Sequence, residues 1–424
     1  MIYRTLHFKG RSFVSGPFYF FLLCLLFAAP APAADDPTSP QNLQVALDKL
    51  EALKQAVPLD LDALQAQYLV LFENFPRHQK GKEGIWELYH LMRRNGRTSQ
   101  AYAALMKILA VYQDNETMQY PPDPAQPIAL AATARVEEAF LYASGMNNPY
   151  QAVDNLNQVL SRYRDQRVGT VSEDRTYLGR VEVIARLQLA EFRAQADQPS
   201  PASGDLLVVA RDWSGETVTY HGLRESAAVA AVRGLGPVLD QMPASLPKKE
   251  RVIETFEQSL VNSQARLWLA FLKAEVDFRH FAQWKAQGAF TAGAEALRGV
   301  IAQQRQTMMT DQTGQEPAGI KALRRLRDAE AQTLGNVAQA AQTLQGYLSA
   351  FATAKEDRPF AGYALVYLGE LEMDFRQNFA AAYQYFMQAA DRYGDLPQYP
   401  LTDQATVGFK EHCLRWAQRA QQRM

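Results

Sequence analysis

Apolar positions along most of the chain recur every three and four residues, the period of an amphipathic helix. The clearest stretch runs from Ile85 to Asp114, two such helices joined by a tight reversal at Asn95-Gly96-Arg97. The second helix carries Ala101, Leu105, Ile108, Leu109, Tyr112 and Asp114. The same cadence returns at Ala152, Leu156, Val159, Leu160, Tyr163 and Asp165, and again at Ala382, Phe386, Ala389, Ala390, Tyr393 and Asp395. A small residue stands where two helices approach closely, larger ones fill the groove, and a tyrosine closes the end with its ring buried and its hydroxyl wet. Gly96 relieves the backbone where the first helix must stop.

The rest of the pattern predicts further elements. Leu43, Leu47 and Leu50 mark a helix broken at Pro58, and Leu61, Leu64, Tyr68, Leu71, Phe72 and Phe75 mark a second, stopped by Pro76. Pro121, Pro122, Pro124 and Pro127 predict a joint that is neither helix nor strand. Asn148-Pro149-Tyr150-Gln151 combines an N-cap with a proline at the first helical position. Thr170-x-x-Glu173 is expected to open a helix through Val181, Ile184 and Leu187. Gln198–Gly204 is read as a linker. Beyond it, Leu206–Ala210 and Thr217–Tyr220 flank Trp213-Ser214-Gly215, which leaves two readings open: a small β-hairpin over 205–221, or a helix through Val209 followed by a loop.

From Lys248 to Gly288 the pattern predicts one unbroken helix, with Ile253, Leu260, Leu267, Ala274 and Phe281 repeating every seven residues. It would reach roughly 60 Å. Leu334, Val337, Ala341, Leu344, Leu348 and Phe351 mark a second seam within Ala318–Ala354. These helices are expected to pair with one another inside the chain, the alternative being a homo-oligomer formed through 248–288 and 318–354. The last hairpin, Pro359–Tyr393, is followed by Pro397 and Pro400 and by a terminal helix through Val407, Phe409, Cys413 and Trp416, which reads as a cap.

The spacing of Ile85, Leu88, Met92, Gly96, Ala101, Leu105 and Ile108 is similar to the tetratricopeptide repeat (TPR), a two-helix unit of about 34 residues. Leu368-Gly369-Glu370, Phe379, Ala382 and Phe386 resemble it too, with one residue extra between Gly369 and Ala382. The Phe-Pro and Tyr-x-Asp endings look most like the divergent repeats of bacterial envelope proteins, among them the barrel-assembly lipoprotein and the coordinator associated with the Tol system. The resemblance covers Leu61–Asp165 and Pro359–Tyr393. No unit carries the full consensus. It implies binding of protein or peptide on a concave surface, and it implies no catalytic residues. The expected fold is all-α, with TPR-like hairpin arrays at both ends and long antiparallel, coiled-coil-like helices between them. The domains expected are a signal peptide (1–33), an N-terminal array (42–197), a linker or β-hairpin insert (198–222), a long-helix region (223–357) and a C-terminal hairpin with its cap (358–424).

The start of the chain changes the compartment. Arg4, Lys9 and Arg11 precede an apolar run from Phe18 to Ala29, and Ala31-Pro32-Ala33 precedes Asp35-Asp36. This is the layout of a secretory signal cleaved after Ala33, since the run falls well short of the ~20 residues that span a bilayer. Leu23 before Cys24 argues against a lipoprotein. The protein is therefore expected in the periplasm, with no membrane span after cleavage. The formal charge of −1 rests on 44 basic and 45 acidic residues. Without the three basic residues of the signal, 41 face 45, a net of −4, and no basic stripe remains to favour nucleic acid. Cys413 is then the single cysteine. It is expected to be buried and inert, the alternative being an intermolecular disulfide.

Candidate chemistry is sparse. His78, His90, His221, His280 and His412 show no metal-ligand spacing, and no Gly-rich phosphate loop is present. Neither a metal, a cofactor nor a catalytic residue is assigned. Ser245-Leu246-Pro247-Lys248 matches Ser-x-x-Lys only nominally, its proline being a helix-start device. Glu137, Glu138, Glu370, Glu372 and Asp374 are the candidates for a partner-binding groove, weighed against plain solvated faces. Arg324, Arg325 and Arg327 form a basic turn suited to an anionic lipid or glycan, again weighed against solvation. The leading functional reading is a non-catalytic periplasmic scaffold that binds envelope proteins or peptides. An all-helical enzyme acting on envelope glycan and a self-assembling coiled-coil protein are the alternatives.

Overall fold

The computed structural model describes residues 38–120, 123–172, 175–242, 246–306, 317–352, 357–396 and 408–424. The expected signal segment and Ser245 lie outside them. The chain forms two compact units, the first ending at Ile85 and the second running Trp86–Met424. The first holds α1 (Pro40–Gln55), α2 (Leu61–Asn74) and the opening turns of α3 (Gln79–Arg94). Asp60 caps α2, its carboxylate accepting from the N–H groups of Asp62 and Ala63 at 3.0 Å. Buried Gln67 ties α2 to α1 by donating to the Ala46 carbonyl at 3.0 Å.

The second unit continues α3 and then alternates helices and hairpins. α4 is Thr98–Val111, followed by β1 (Thr117–Tyr120), β2 (Asp123–Ala129) and α5 (Leu130–Phe140), which ends in a π-helical turn over Leu141–Gly145. α6 (Pro149–Tyr163), β3 (Arg167–Ser172), β4 (Arg175–Arg180) and α7 (Val181–Gln195) come next. Then follow α8 (Pro199–Asp212), β5 (Thr217–Tyr220), β6 (Leu223–Ser226), α9 (Ala227–Gln241), α10 (Leu246–Ser259), α11 (Ser263–Trp284) and α12 (Gln287–Gln306). α13 (Ala318–Asp328) runs into a second π-helical turn at Ala329–Thr333. α14 (Val337–Phe351), α15 (Arg358–Asp374), α16 (Phe379–Tyr393) and α17 (Phe409–Gln421) complete the chain.

Odd-numbered helices from α3 to α15 are the first (A) helices of hairpins, and even-numbered ones from α4 to α16 the second (B) helices. Five of the A-to-B joints share one construction. A residue with left-handed backbone, Gly96 (φ 70°), Asn147 (50°), Asp197 (57°), Gly335 (74°) or Gln377 (54°), immediately precedes the cap of the B helix. The cap's N–H then reaches back to the end of the A helix: Arg97 to Met92 O (2.9 Å), Asn148 to Tyr142 O (2.7 Å), Gln198 to Arg193 O (2.7 Å), Asn336 to Glu330 O (2.8 Å) and Asn378 to Glu372 O (2.8 Å). Three of these caps are asparagines whose side chains also accept from the first turn of the B helix, at Gln151, Gln339 and Ala381. One residue thus closes the A helix and opens the B helix. The chain is an all-α array of TPR-like hairpins.

A longer period overlies the hairpins. The strands after α4, α6 and α8 begin at Thr117, Arg167 and Thr217, a spacing of 50 residues. The residue before each strand closes the insertion twice. Glu116, Gln166 and Glu216 donate to Gln113, Tyr163 and Trp213 at 3.0–3.1 Å, and their carbonyls accept from the first residues of the next A helices, Leu130, Val181 and Ala227, at 2.8–2.9 Å. β3, β4, β5 and β6 form one antiparallel sheet in that order, β4 joining β5 through Tyr177↔Tyr220 and Leu178↔Thr219. β1 and β2 form a separate hairpin, tied to β3 by Arg167 donating to Gln126 at 2.7 Å.

Several expectations are corrected. The proline-rich joint after α4 includes β1 and β2: Pro124 lies near the start of β2 and Pro127 inside it, where a two-stranded ribbon tolerates a missing donor. Thr170 lies in β3 and starts no helix; the helix begins at Val181. Gln198–Gly204 is no linker, because Pro199 occupies the first position of α8 as Pro149 does in α6. Both readings of 205–221 were half right: the helix runs to Asp212, and the hairpin is Thr217–Ser226. The helix expected over Lys248–Gly288 breaks at Leu260–Asn262, where Asn262 accepts from Ala265 N–H at 2.9 Å and caps α11. Ala318–Ala354 likewise divides into α13 and α14. The heptad residues Ile253, Leu260, Leu267, Ala274 and Phe281 are buried within the chain, as are Phe256, Phe271 and Phe278 at the second seam position of the same pattern.

Two cores result, one from α5 to the middle of α11, the other from α11 to α17. α15 is apolar on every side and buried over Pro359–Gly369, so it is enclosed by α13, α14 and α16. Gly369 permits the α15–α16 approach, since a Cβ there would lie 2.7 Å from the Phe386 ring. α17 covers the end with Phe409 edge-on to Tyr363 at 5.1 Å. Cys413 is buried there, and burial pushes its thiol up to about 12.

The shared joint makes a paired prediction. A Cβ at Gly96 would meet nothing within 4 Å, so Gly96→Ala costs only the left-handed backbone, about 1 kcal/mol. Gln377→Gly removes that same strain and stabilises by about 0.5 kcal/mol. Urea unfolding of the two variants checks the opposite signs.

Candidate functional site

The hairpins determine which parts of the A helices stay open. Thr170 Oγ1 of β3 lies 2.9 Å from His90 Nε2 on α3, and Arg93 of α3 donates to Ser172 of the same strand at 3.2 Å. On α7, Glu191 accepts from Tyr220 Oη of β5 at 2.7 Å and sits 2.6 Å from His221 Nε2 in the β5–β6 turn. The inserted sheet therefore overlies A helices of the earlier hairpins. After α10 the insertion stops: three residues, Leu260–Asn262, lead directly into α11. Asn262 Nδ2 reaches Ser226 Oγ at 3.2 Å and Ser214 O at 3.5 Å, drawing the short joint against the base of the last hairpin.

On either side of that joint three successive A helices, α9, α11 and α13, line a pocket of about 340 Å³. Val232 of α9 and Trp268, Phe271 and Leu272 of α11 supply an apolar floor. Arg233 of α9 and Lys321, Arg324 and Arg325 of α13 supply the cations, against the carboxylates of Glu275 and Asp328. Four positive groups thus face two negative ones, in a chain whose formal charge is −1. Their side chains are held in place. Lys321 Nζ lies 4.4 Å from the centre of the Trp268 ring, and Arg325 sits 5.1 Å from that of Phe278. Arg325 also forms a two-pronged pair with Glu275, one prong at 2.9 Å. Arg233 pairs with Glu225 of β6 at 3.3 Å, so one pocket wall is continuous with the last strand of the sheet. The volume is at the small end of the ~300–1,000 Å³ typical of ligand pockets.

The acidic candidates do not form a groove. Glu137 and Glu138 lie on α5 and are buried, Glu137 accepting from Tyr89 Oη at 2.6 Å and Glu138 from Arg135 at 2.7 Å. Glu370 and Glu372 lie on α15 in the other core. Glu370 is bound by Arg327, and Glu372 by Arg376 at 2.5 Å. Solvation fails as the alternative for these four: Tyr89 and Arg327 reach Glu137 and Glu370 from distant helices, while Arg135 and Arg376 meet Glu138 and Glu372 from one helical turn away. Asp374 alone of the five is exposed. The basic turn of α13 divides: Arg324 and Arg325 line the pocket, while Arg327 points inward to Glu370 and Asp328. Trp268, Lys321 and Arg233 were not singled out from the sequence, and Phe271 only as a seam residue of the expected long helix. The legible signal was Lys321 three and four residues before Arg324 and Arg325, which puts all three on one helical face. Among the described residues no group of three or more His, Cys, Asp and Glu side chains is placed to hold a metal, and no helix is long and apolar enough to cross a membrane.

No family model and no curated protein sequence matches the chain. Among solved structures it is similar to a tetratricopeptide repeat protein from Parabacteroides merdae, at 12% identity and a TM-score of 0.30, over 90% of this chain and 99% of that one. It is also similar to the TPR domain of P58(IPK), at 13% identity and a TM-score of 0.20, over 90% and 98%. A circular tandem repeat protein follows at 11% identity and a TM-score of 0.16, over 90% and 89%. The repeat character of the chain rests on its own joints.

The helix that supplies the pocket floor also carries Asp277, buried, with Glu250 of α10 and Lys273 and His280 of α11 near it. Burial, reinforced by Glu250 and opposed by Lys273 and His280, pushes its carboxyl up to about 6. A raised carboxyl favours the folded state when protonated. That contribution is complete below the ordinary value of 3.8 and is lost as pH rises through about 6. Asp277→Asn should therefore stabilise the protein at neutral pH by on the order of 2 kcal/mol. The difference should vanish below about pH 4, as read from denaturant midpoints across that range.

Proposed function

We propose that the protein is a non-catalytic scaffold of the bacterial cell envelope that works in the periplasm and binds a segment of a partner protein between α9, α11 and α13. The observation that carries this reading is the pocket itself, an aromatic floor beneath a net positive rim, on the A-helix side of an array of TPR-like hairpins. Rows of helical hairpins present a continuous side-chain surface, which suits recognition of an extended partner. The periplasmic assignment rests on Arg4, Lys9 and Arg11, the apolar run Phe18–Ala29 and Ala31-Pro32-Ala33.

A photo-crosslinking amino acid at Leu272, on the pocket floor, should trap a discrete partner band in native cells. The same group at Tyr150, exposed on α6, should not. Equal labelling from both positions, or none from Leu272, would overturn the pocket as the binding site. N-terminal sequencing of the protein from a periplasmic fraction should begin at Ala34. Recovery in the cytosol with the first 33 residues intact would overturn the compartment.

A further inference from the structure

The sheet and the pocket meet at β6. Its partner on one side is β5, joined through Tyr220↔Leu223, Thr219↔Arg224, Val218↔Glu225 and Thr217↔Ser226; among the described residues no strand pairs with its other side. His221 and Gly222 make the turn, both with left-handed backbone (φ 50° and 75°), the two-residue turn that matches strand twist. In such a hairpin Tyr220 and Leu223 exchange both backbone hydrogen bonds. The alternation of antiparallel pairing then aims the N–H and C=O of Arg224 away from β5. The Arg224 side chain is exposed.

Each of the preceding hairpins was followed by another strand pair about 50 residues later, and the unit built on α10 has none. The slot that a fourth hairpin would occupy lies beside β6. On the pocket side, Glu225 of β6 already holds Arg233 at 3.3 Å. A strand added to β6 would send every second side chain toward that same side, over Trp268 and Phe271 and among Arg233, Lys321 and Arg324.

We propose that the partner binds as an extended strand added to the edge of β6, in the place of the missing hairpin, with bulky apolar and acidic side chains turned into the α9–α11–α13 pocket. This rests on the reading of that pocket as the protein-binding site and specifies its ligand. The chain supplies the precedent for the geometry, since its own strands β3 and β5 lie over α3 and α7 through side-chain contacts of the same kind. The rim supplies the charge preference, four cations to two carboxylates. The apolar floor supplies the need for a bulky anchor, because burial of such a side chain is what an aromatic pocket rewards.

Selection of a random peptide library on the immobilised mature protein tests the chemistry directly. The enriched peptides should carry an acidic and a bulky apolar residue two positions apart, on one face of the strand, and lack central prolines. The best of them, synthesised with a fluorescent label, should lose about tenfold in affinity or more when N-methyl groups block one alternate set of its amides. The other set should tolerate them. Arg224→Pro should weaken binding by about tenfold while preserving the β5 ladder, which does not use that N–H. Lys321→Glu with Arg324→Glu should abolish the preference for acidic peptides. Circular dichroism and the thermal midpoint report whether the variants fold, and the N-methyl series decides the backbone question with unaltered protein. Enrichment of basic or helix-periodic peptides, or indifference to N-methylation of both sets, overturns the proposal. If no peptide is enriched while Leu272 still crosslinks a partner, the strand is overturned and the pocket reading stands. Loss of both overturns both.

Discussion

Five of the helical hairpins depend on one backbone reversal. A helix that ends leaves carbonyls without partners, and a helix that begins leaves N–H groups without them. At Asn147-Asn148, Gly335-Asn336 and Gln377-Asn378 two adjacent residues answer both needs: the first turns left-handed, and the second gives its N–H backward and its side-chain oxygen forward. With no loop between the helices, the B helix must fold straight back on its A helix. Close approach then demands small residues at Ala101, Ala152, Ala202 and Ala382, all fully buried, and at Gly369. The hairpin is a consequence of the joint, and the array a consequence of repeating it.

The B-to-A connections have no such compulsion, and there the chain is free to insert. After α4, α6 and α8 it inserts a strand pair, closed at Glu116, Gln166 and Glu216 by the same two backbone hydrogen bonds. Those bonds fix where each hairpin leaves and returns, so an added ribbon does not disturb the stacking of helices behind it. It does change what the A helices present. β3 and β5 take up positions on α3 and α7, and the surface that a plain repeat would leave open is filled from within. Where Asn262 replaces the insertion, the surface is open again.

The hairpins were legible in the sequence wherever the cadence kept its tyrosine. Ala101, Leu105, Ile108 and Tyr112 identified one unit and Ala152, Leu156, Val159 and Tyr163 the next. The third copy, Ala202, Leu206, Val209 and Trp213, follows 50 residues later and was missed. Pro199 and Pro201 looked like a linker, although proline in the first turn of a helix replaces an N–H that has no partner anyway. The strands were hidden for a different reason. Strands of four to seven residues carry too little alternation to be told from loops, and their stability comes from neighbours that the sequence does not identify. The break at Leu260–Asn262 was masked because Ile253, Leu260, Leu267 and Phe281 keep a seven-residue register across it. The acidic residues misled most: nothing local in Glu137 reveals that Tyr89, 48 residues earlier, donates to it.

Arginine is used in two ways, and the contrast explains why the pocket stands out. In the interior, arginines neutralise carboxylates that the repeat geometry has buried. Arg186 and Arg193 hold Asp205 at 3.0 and 2.5 Å, Arg164 and Arg186 hold Glu182, and Arg327 holds Glu370. Removing either member of such a pair leaves an uncompensated charge, so these residues are committed to the fold. At α13 the same residue type faces outward over aromatic rings. Arg325 is oriented by Glu275, and Lys321 is laid on Trp268, so both are fixed before any ligand arrives. Side chains already ordered lose little entropy on binding, and the apolar floor beneath them keeps water from screening their charge. The pocket so built combines charge and shape on the stretch of A helices that the inserted sheet leaves open.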